Sequence, residues 1–219
     1  MKLKYLASAG VLAATLLCPG IASADFLLDT GTPAGSTLDV FNSSTWYAEE
    51  FSATAGQTVS SLAAYLTQGT GQPGATFTFA IYANSGAGGS FLGSTASNRN
   101  ADEVYSTTGT YTTNGWTSAS ANWSVGATGN YWLAIQQTAT GSANSLDAPT
   151  EASKTTGTVP ALGYAIYSTS AGSKFQLSSG NPIGLEVQTV PLPGAGWLFL
   201  CGLGGLWASG RRSRSAAAR

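Results

Sequence analysis

The chain has no histidine, and its two cysteines, Cys18 and Cys201, fall outside residues 25–189. Without histidine there can be no Ser-His-Asp triad, no imidazole proton shuttle and few transition-metal sites. Without cysteine, residues 25–189 can form neither an internal disulfide nor a thiolate metal site. Stability there has to come from core burial, which a body of about 165 residues can supply. Charge is also scarce, at 9% of residues, while Gly, Ser and Thr abound. That balance suits a turn-rich extracellular β-protein better than a cytosolic helical one. Regularly spaced Trp, Tyr, Phe, Ile and Val argue against disorder.

The charges are unevenly placed. All ten carboxylates lie between Asp25 and Glu186, a stretch with three bases, Arg99, Lys154 and Lys174, which leaves it at −7. A body of that sign does not attract nucleic acid or an anionic lipid face. The other bases sit at the two ends of the chain. Lys2 and Lys4 precede an apolar run over 5–17, and Ala22-Ser23-Ala24 supplies the small residues that signal peptidase requires. Residues 1–24 therefore read as a signal peptide cleaved after Ala24. Leu17 is too bulky for the position before a lipidated Cys18, which disfavours lipoprotein processing.

At the other end, Val190-Pro191-Leu192-Pro193 leads into a Gly- and aromatic-rich apolar run over 194–209 and then into Arg211, Arg212 and Arg214. The run is 16 residues long, close to the roughly 17–25 of a membrane-spanning helix. Trp197 and Trp207 lie near its ends, where indoles favour the interface. The arginines place the tail, 210–219, in the cytoplasm and the body outside. A buried core helix is the alternative, and the basic tail argues against it. Paired prolines cannot continue a helix and keep the motif extended.

These three parts, in this order, resemble the C-terminal sorting domain of PEP-CTERM proteins. The usual motif has Glu between the prolines; with Leu192 there, this chain is closer to the VPLPA variant, and Gly194 replaces that variant's Ala. Those departures bear on which exosortase recognises it. The resemblance implies a Gram-negative producer of extracellular polysaccharide. It also implies transient inner-membrane anchoring, with an exosortase as processing partner, followed by transfer to the cell surface or release.

The body, 25–189, reads as strands throughout. Phe77, Phe79 and Ile81 share one face of a strand over 76–82, and Tyr131, Leu133 and Ile135 do so in another. Ile183, Leu185 and Val187 form a third such set. Period-two apolar spacing between Gly, Asn, Ser and Pro is the signal of half-buried antiparallel strands. Further strands are expected over 46–51, 59–66, 120–125, 162–167 and 175–177. Many short strands with turns between them predict an all-β fold, an antiparallel sandwich of the jelly-roll kind, carrying a single C-terminal transmembrane helix. The succession Trp46-Tyr47-Ala48-Glu49-Glu50-Phe51, an apolar strand around Leu62, Thr78-Phe79-Ala80-Ile81-Tyr82 and Tyr131-Trp132-Leu133-Ala134-Ile135 is similar to bacterial choice-of-anchor ectodomains. That resemblance implies no assigned activity.

Two local motifs suggest catalysis and do not sustain it. Asp29-Thr30-Gly31-Thr32 matches an aspartic-protease signature, but it occurs once and only five residues into the body. A turn or edge-strand start is the better reading. Gly69, Gly71 and Gly74 fit a dinucleotide-binding spacing, but a strand follows and not a helix, so they read as a loop. Glu49 and Glu50 are adjacent, so on a strand they face opposite ways and cannot flank one glycosidic bond. No cofactor and no metal site is expected. Trp116, Trp123 and Trp132 are the candidates for stacking on sugar rings, with buried core positions as the alternative.

Three readings follow: a non-enzymatic surface or matrix protein sorted by an exosortase; a carbohydrate-binding module for the cell's own polysaccharide; and, more weakly, a carboxylate-based hydrolase.

Overall fold

Phe77, Phe79 and Ile81 do point into a single buried layer, as do Tyr131, Leu133 and Ile135. The structure, a computed structural model, describes residues 25–35, 37–69, 73–86, 89–92, 101–137, 146–150, 161–168, 174–179 and 182–190. The expected signal peptide with Ala22 and Ala24 lies outside these residues. So do Pro191, Leu192, Pro193, the run 194–209 and Arg211, Arg212 and Arg214.

The described residues are all-β. In chain order the strands are β1 (Asp25–Asp29), β2 (Leu38–Phe41), β3 (Thr45–Ala53), β4 (Thr58–Leu66), β5 (Thr76–Ala83), β6 (Ser85–Gly86) and β7 (Gly89–Ser90). They continue with β8 (Glu103–Thr110), β9 (Gly115–Ser124), β10 (Gly129–Gln136), β11 (Leu146–Pro149), β12 (Gly163–Ser168), β13 (Lys174–Leu177) and β14 (Leu185–Thr189). A small sheet has the order β1-β14-β4-β9 and a large one the order β13-β12-β3-β10-β5-β8. Every pairing is antiparallel. The chain alternates between them: β1 small, β3 large, β4 small, β5 and β8 large, β9 small, β10, β12 and β13 large, β14 small.

The facing sides of the two sheets share one core. Leu28, Leu62, Leu66, Leu185 and Val187 come from the small sheet, and Phe51, Phe77, Phe79, Leu133 and Ile135 from the large one. Burying such side chains stabilises the fold by about 1.5–3 kcal/mol each before ordering costs. One side closes where the chain passes from β8 to β9, with the Asn122 N–H donating to the Tyr105 hydroxyl at 3.3 Å. At one end of β4 the β2–β11 ribbon is bridged on, through Thr67 N–H to the Asp147 carbonyl at 2.8 Å and its reciprocal bond.

The large sheet also buries its outer face. Register aligns Ala165, Ala48, Ala134 and Ala80 as side-by-side neighbours across β12, β3, β10 and β5. These small residues make a floor, and aromatic residues cover it. Phe91, just past β7, packs its ring on Trp132 at 4.8 Å, Tyr82 at 5.4 Å and Phe175 at 4.3 Å. This second core also holds Tyr167.

Candidate functional site

The three tryptophans proposed for sugar stacking occupy three different environments. Trp123 is on the inner face of β9, edge-on to Tyr131 at 5.1 Å within the shared core. Trp132 points outward from β10 but is sealed beneath Phe91, at 1% exposure. Its Nε1–H donates to Asn84 Oδ1 at 2.9 Å, and the Asn84 side-chain amide donates to Glu50 Oε1 at 2.7 Å. Trp116 alone of the three reaches solvent. The three therefore share no platform, because two are consumed by the two cores. Glu49 and Glu50 face opposite ways, inward and outward, as their adjacency on a strand requires.

Around Trp116 the outer face of the small sheet gathers aromatic and polar groups. Trp116 pairs directly with Tyr65 across β9 and β4, the rings edge-to-face at 5.6 Å and 87°. Its Nε1–H points to Thr32 Oγ1 at 3.4 Å. The backbone beneath is glycine for a reason. A Cβ on Gly184 would lie 2.6 Å from Tyr65 Cβ and 2.9 Å from Pro33 Cδ, so any other residue would displace Tyr65.

On the same face Asp29, Glu186, Ala63 and Ser118 form one row across four strands. Like charges directly opposite each other weaken a sheet. Asp29 accepts from the Gly31 N–H at 3.0 Å, and Glu186 from Gln188 Nε2–H at 3.1 Å. Burial, and to a lesser degree Asp29, pushes the Glu186 carboxyl up, against the lowering effect of Gln188. Asp29 thus ends an edge strand, and Gly31 beyond it takes the left-handed conformation at φ 81°. That is the turn expected in place of a protease loop. Pro73 and Gly74 form a turn leading into strand β5, again as expected for the glycine-rich stretch.

No protein-family model, curated protein or solved structure matches this chain.

A group that sequence reasoning considered only as half of an adjacent pair lies between the sheets. Glu49 is 0% exposed, and neither carboxylate oxygen has a hydrogen-bond partner among the described residues. Its cross-strand neighbours are Leu133 and Tyr164. Burial pushes its carboxyl well above the usual glutamate range; the Ile183 N–H faces it, favouring the charged form, without completing a hydrogen bond.

Beside Glu49, Tyr47 and Tyr164 stack in parallel at 6.3 Å and 4°. Burial first, and then Asp39, raises both phenols. They stay protonated and donate, Tyr47 to the Val40 carbonyl and Tyr164 to Asp39 Oδ2, each at 3.1 Å. The two tyrosines thereby tie β2 to the large sheet. Among the described residues no group of three or more Asp, Glu, His or Cys is arranged to hold a metal ion.

Proposed function

We propose that the chain is a non-enzymatic surface or extracellular-matrix protein, exported by its signal peptide and processed by an exosortase. Residues 194–209 would hold it transiently in the inner membrane with the body outside the cytoplasm. The observation that carries this reading is the ordered set of motif, apolar run and arginines directly after the last strand. β14 ends at Thr189, and Val190, the first motif residue, is 47% exposed, with its N–H on the Thr58 carbonyl at 2.9 Å. An exposed Val190 at the end of the body suits an enzyme that acts on an extended segment beginning there. The alternation of strands between sheets supports a jelly-roll reading of the body, extended by β12 and β13 on the large sheet.

The deciding experiment is the intact mass of the protein from its native cells, with and without a working exosortase. A species running from Asp25 to near Pro193 only in the competent strain supports the proposal. A species still ending at Arg219 in both strains overturns it.

A second reading, a carbohydrate-binding module for the cell's own polysaccharide, has one observation in its favour. Trp116 and Tyr65 lie half-buried on the outer face of the small sheet, with the Thr32 hydroxyl at the Trp116 indole and Glu186 in the adjacent row of the same face. Aromatic rings next to hydrogen-bonding groups suit the apolar face and hydroxyl rim of a pyranose. Fold alone assigns no function, so this reading stands on Trp116.

A further inference from the structure

We propose that Glu49 makes this an acid-favoured fold: its carboxyl is carried between the sheets as the neutral acid, and its ionisation is coupled to the parting of residues 183–185 from β3. The geometry is specific. Glu49 lies on the inward face of β3 between Tyr47 and Phe51, fully buried, with both oxygens unpartnered among the described residues. Among the described residues, the groups facing it carry no positive charge. β10 presents Leu133, β12 presents Tyr164, and its own strand presents Tyr47. The ribbon beyond the two tyrosines adds Asp39 and Asp147, both acids. The segment before β14 presents the Ile183 N–H. Lys174, the single base among the described residues, is exposed on the edge strand β13.

A carboxylate in that setting would be buried without a counter-charge, far costlier than the neutral acid. Water or a donor would have to reach it. The Ile183 side is where the nearest backbone donor already points, and that corner is held by bonds to Thr30 and by the Tyr65 N–H donating to the Gly184 carbonyl at 2.8 Å. Thr30 Oγ1 donates to the Ile183 carbonyl at 2.7 Å and accepts from the Leu185 N–H at 2.8 Å. Opening there lets solvent in with the sheets otherwise paired.

The sign follows from proton counting. In the unfolded chain Glu49 titrates near its ordinary value of about 4.3. The folded state keeps the proton to higher pH, so between the two values it binds one proton more. Stability from this group is complete below the unfolded value and is eroded as pH rises, the unfolding constant growing up to about tenfold per pH unit. The body is firmest in acid surroundings.

The test is urea unfolding of the purified full-length chain and its E49Q variant between about pH 5 and about pH 8. E49Q retains the shape but cannot ionise. The wild-type unfolding constant is expected to climb relative to E49Q as pH rises, and protection of the Leu185 amide to fall in the wild type alone. Parallel profiles with equal Leu185 protection overturn the proposal. Should E49Q fail to fold, carbon-13 titration of the wild type decides. One of its five glutamate carboxyls is expected to hold its proton to a pH well above the range of the others; all five titrating in the ordinary glutamate range overturns the proposal.

Discussion

Thr189 donates its hydroxyl to the Asp25 carbonyl at 3.0 Å, joining the last residue of β14 to the first of β1. The body therefore begins and ends on neighbouring strands at one end of the small sheet. The Thr189 side chain is 4% exposed, so losing this bond leaves a carbonyl partly dehydrated. Thr189→Val is expected to cost about 1 kcal/mol in urea unfolding. An unchanged midpoint would show that backbone pairing alone closes the fold.

Phe91 has the opposite character, a ring packed among Trp132, Tyr82 and Phe175 over a floor of alanines. Phe91→Ala is expected to cost about 3–5 kcal/mol, because its ring neighbours on β5, β10 and β13 cannot collapse into the space. Wetting of Trp132 should shift its fluorescence to the red. A stable variant with unshifted emission would mean that the outer core does not depend on Phe91.

Gly184→Ala sets a methyl against Tyr65 and Pro33, and is expected to cost about 1–3 kcal/mol by overpacking. Gly126 is the control. A Cβ there meets nothing within 4 Å, so Gly126→Ala should leave stability unchanged or raise it by up to about 1 kcal/mol. Equal effects of the two substitutions would contradict the packing described for the Tyr65 face.

Trp116→Ala separates binding from folding. Half-buried and outside both cores, it should lower stability by about 1 kcal/mol or less. Trp123→Ala should cost about 3–5 kcal/mol. If the body binds polysaccharide through this face, a pull-down with the cell's own polymer loses Trp116→Ala and retains Phe91→Ala under folding conditions. Undiminished binding by Trp116→Ala removes the carbohydrate reading.

The long strands were legible because their inward sets recur with period two, Phe77, Phe79 and Ile81 on β5, Tyr131, Leu133 and Ile135 on β10, and Leu185 and Val187 on β14, even where the large sheet buries its other face as well. β1 was hidden by a bulge between Phe26 and Leu28, which puts Leu27 and Leu28 into the core in succession and breaks the alternation. β8 is a solvent-facing edge of Ser, Thr and Tyr with little apolar content, and β11 is a four-residue strand containing Pro149. β9 begins at Gly115, five residues before the expected start, since its outward face is mostly serine. Ile183 is buried, as its spacing implies, but precedes the strand it was expected to begin.

The aromatic residues were visible and their exposure was not. Whether Trp132 is a platform or a core residue depends on Phe91, 41 positions away, which no local pattern announces. The division of Glu49 and Glu50 between faces was readable from adjacency. The isolation of Glu49 was not, because the strand is apolar on both faces around the two acids and either could have been the exposed one.

The place of β14 in the small sheet bears on how the body carries a load. A pull on Val190 enters through a strand bonded on both sides, to β1 and to β4. Two ladders of hydrogen bonds resist it together, where a chain ending on the edge strand β9 would have only one. Tension applied between Asp25 and Val190 would instead peel β1 away a bond at a time. The same fold is thus strong when tugged by its tail against a distant attachment and weak when its two ends are drawn apart.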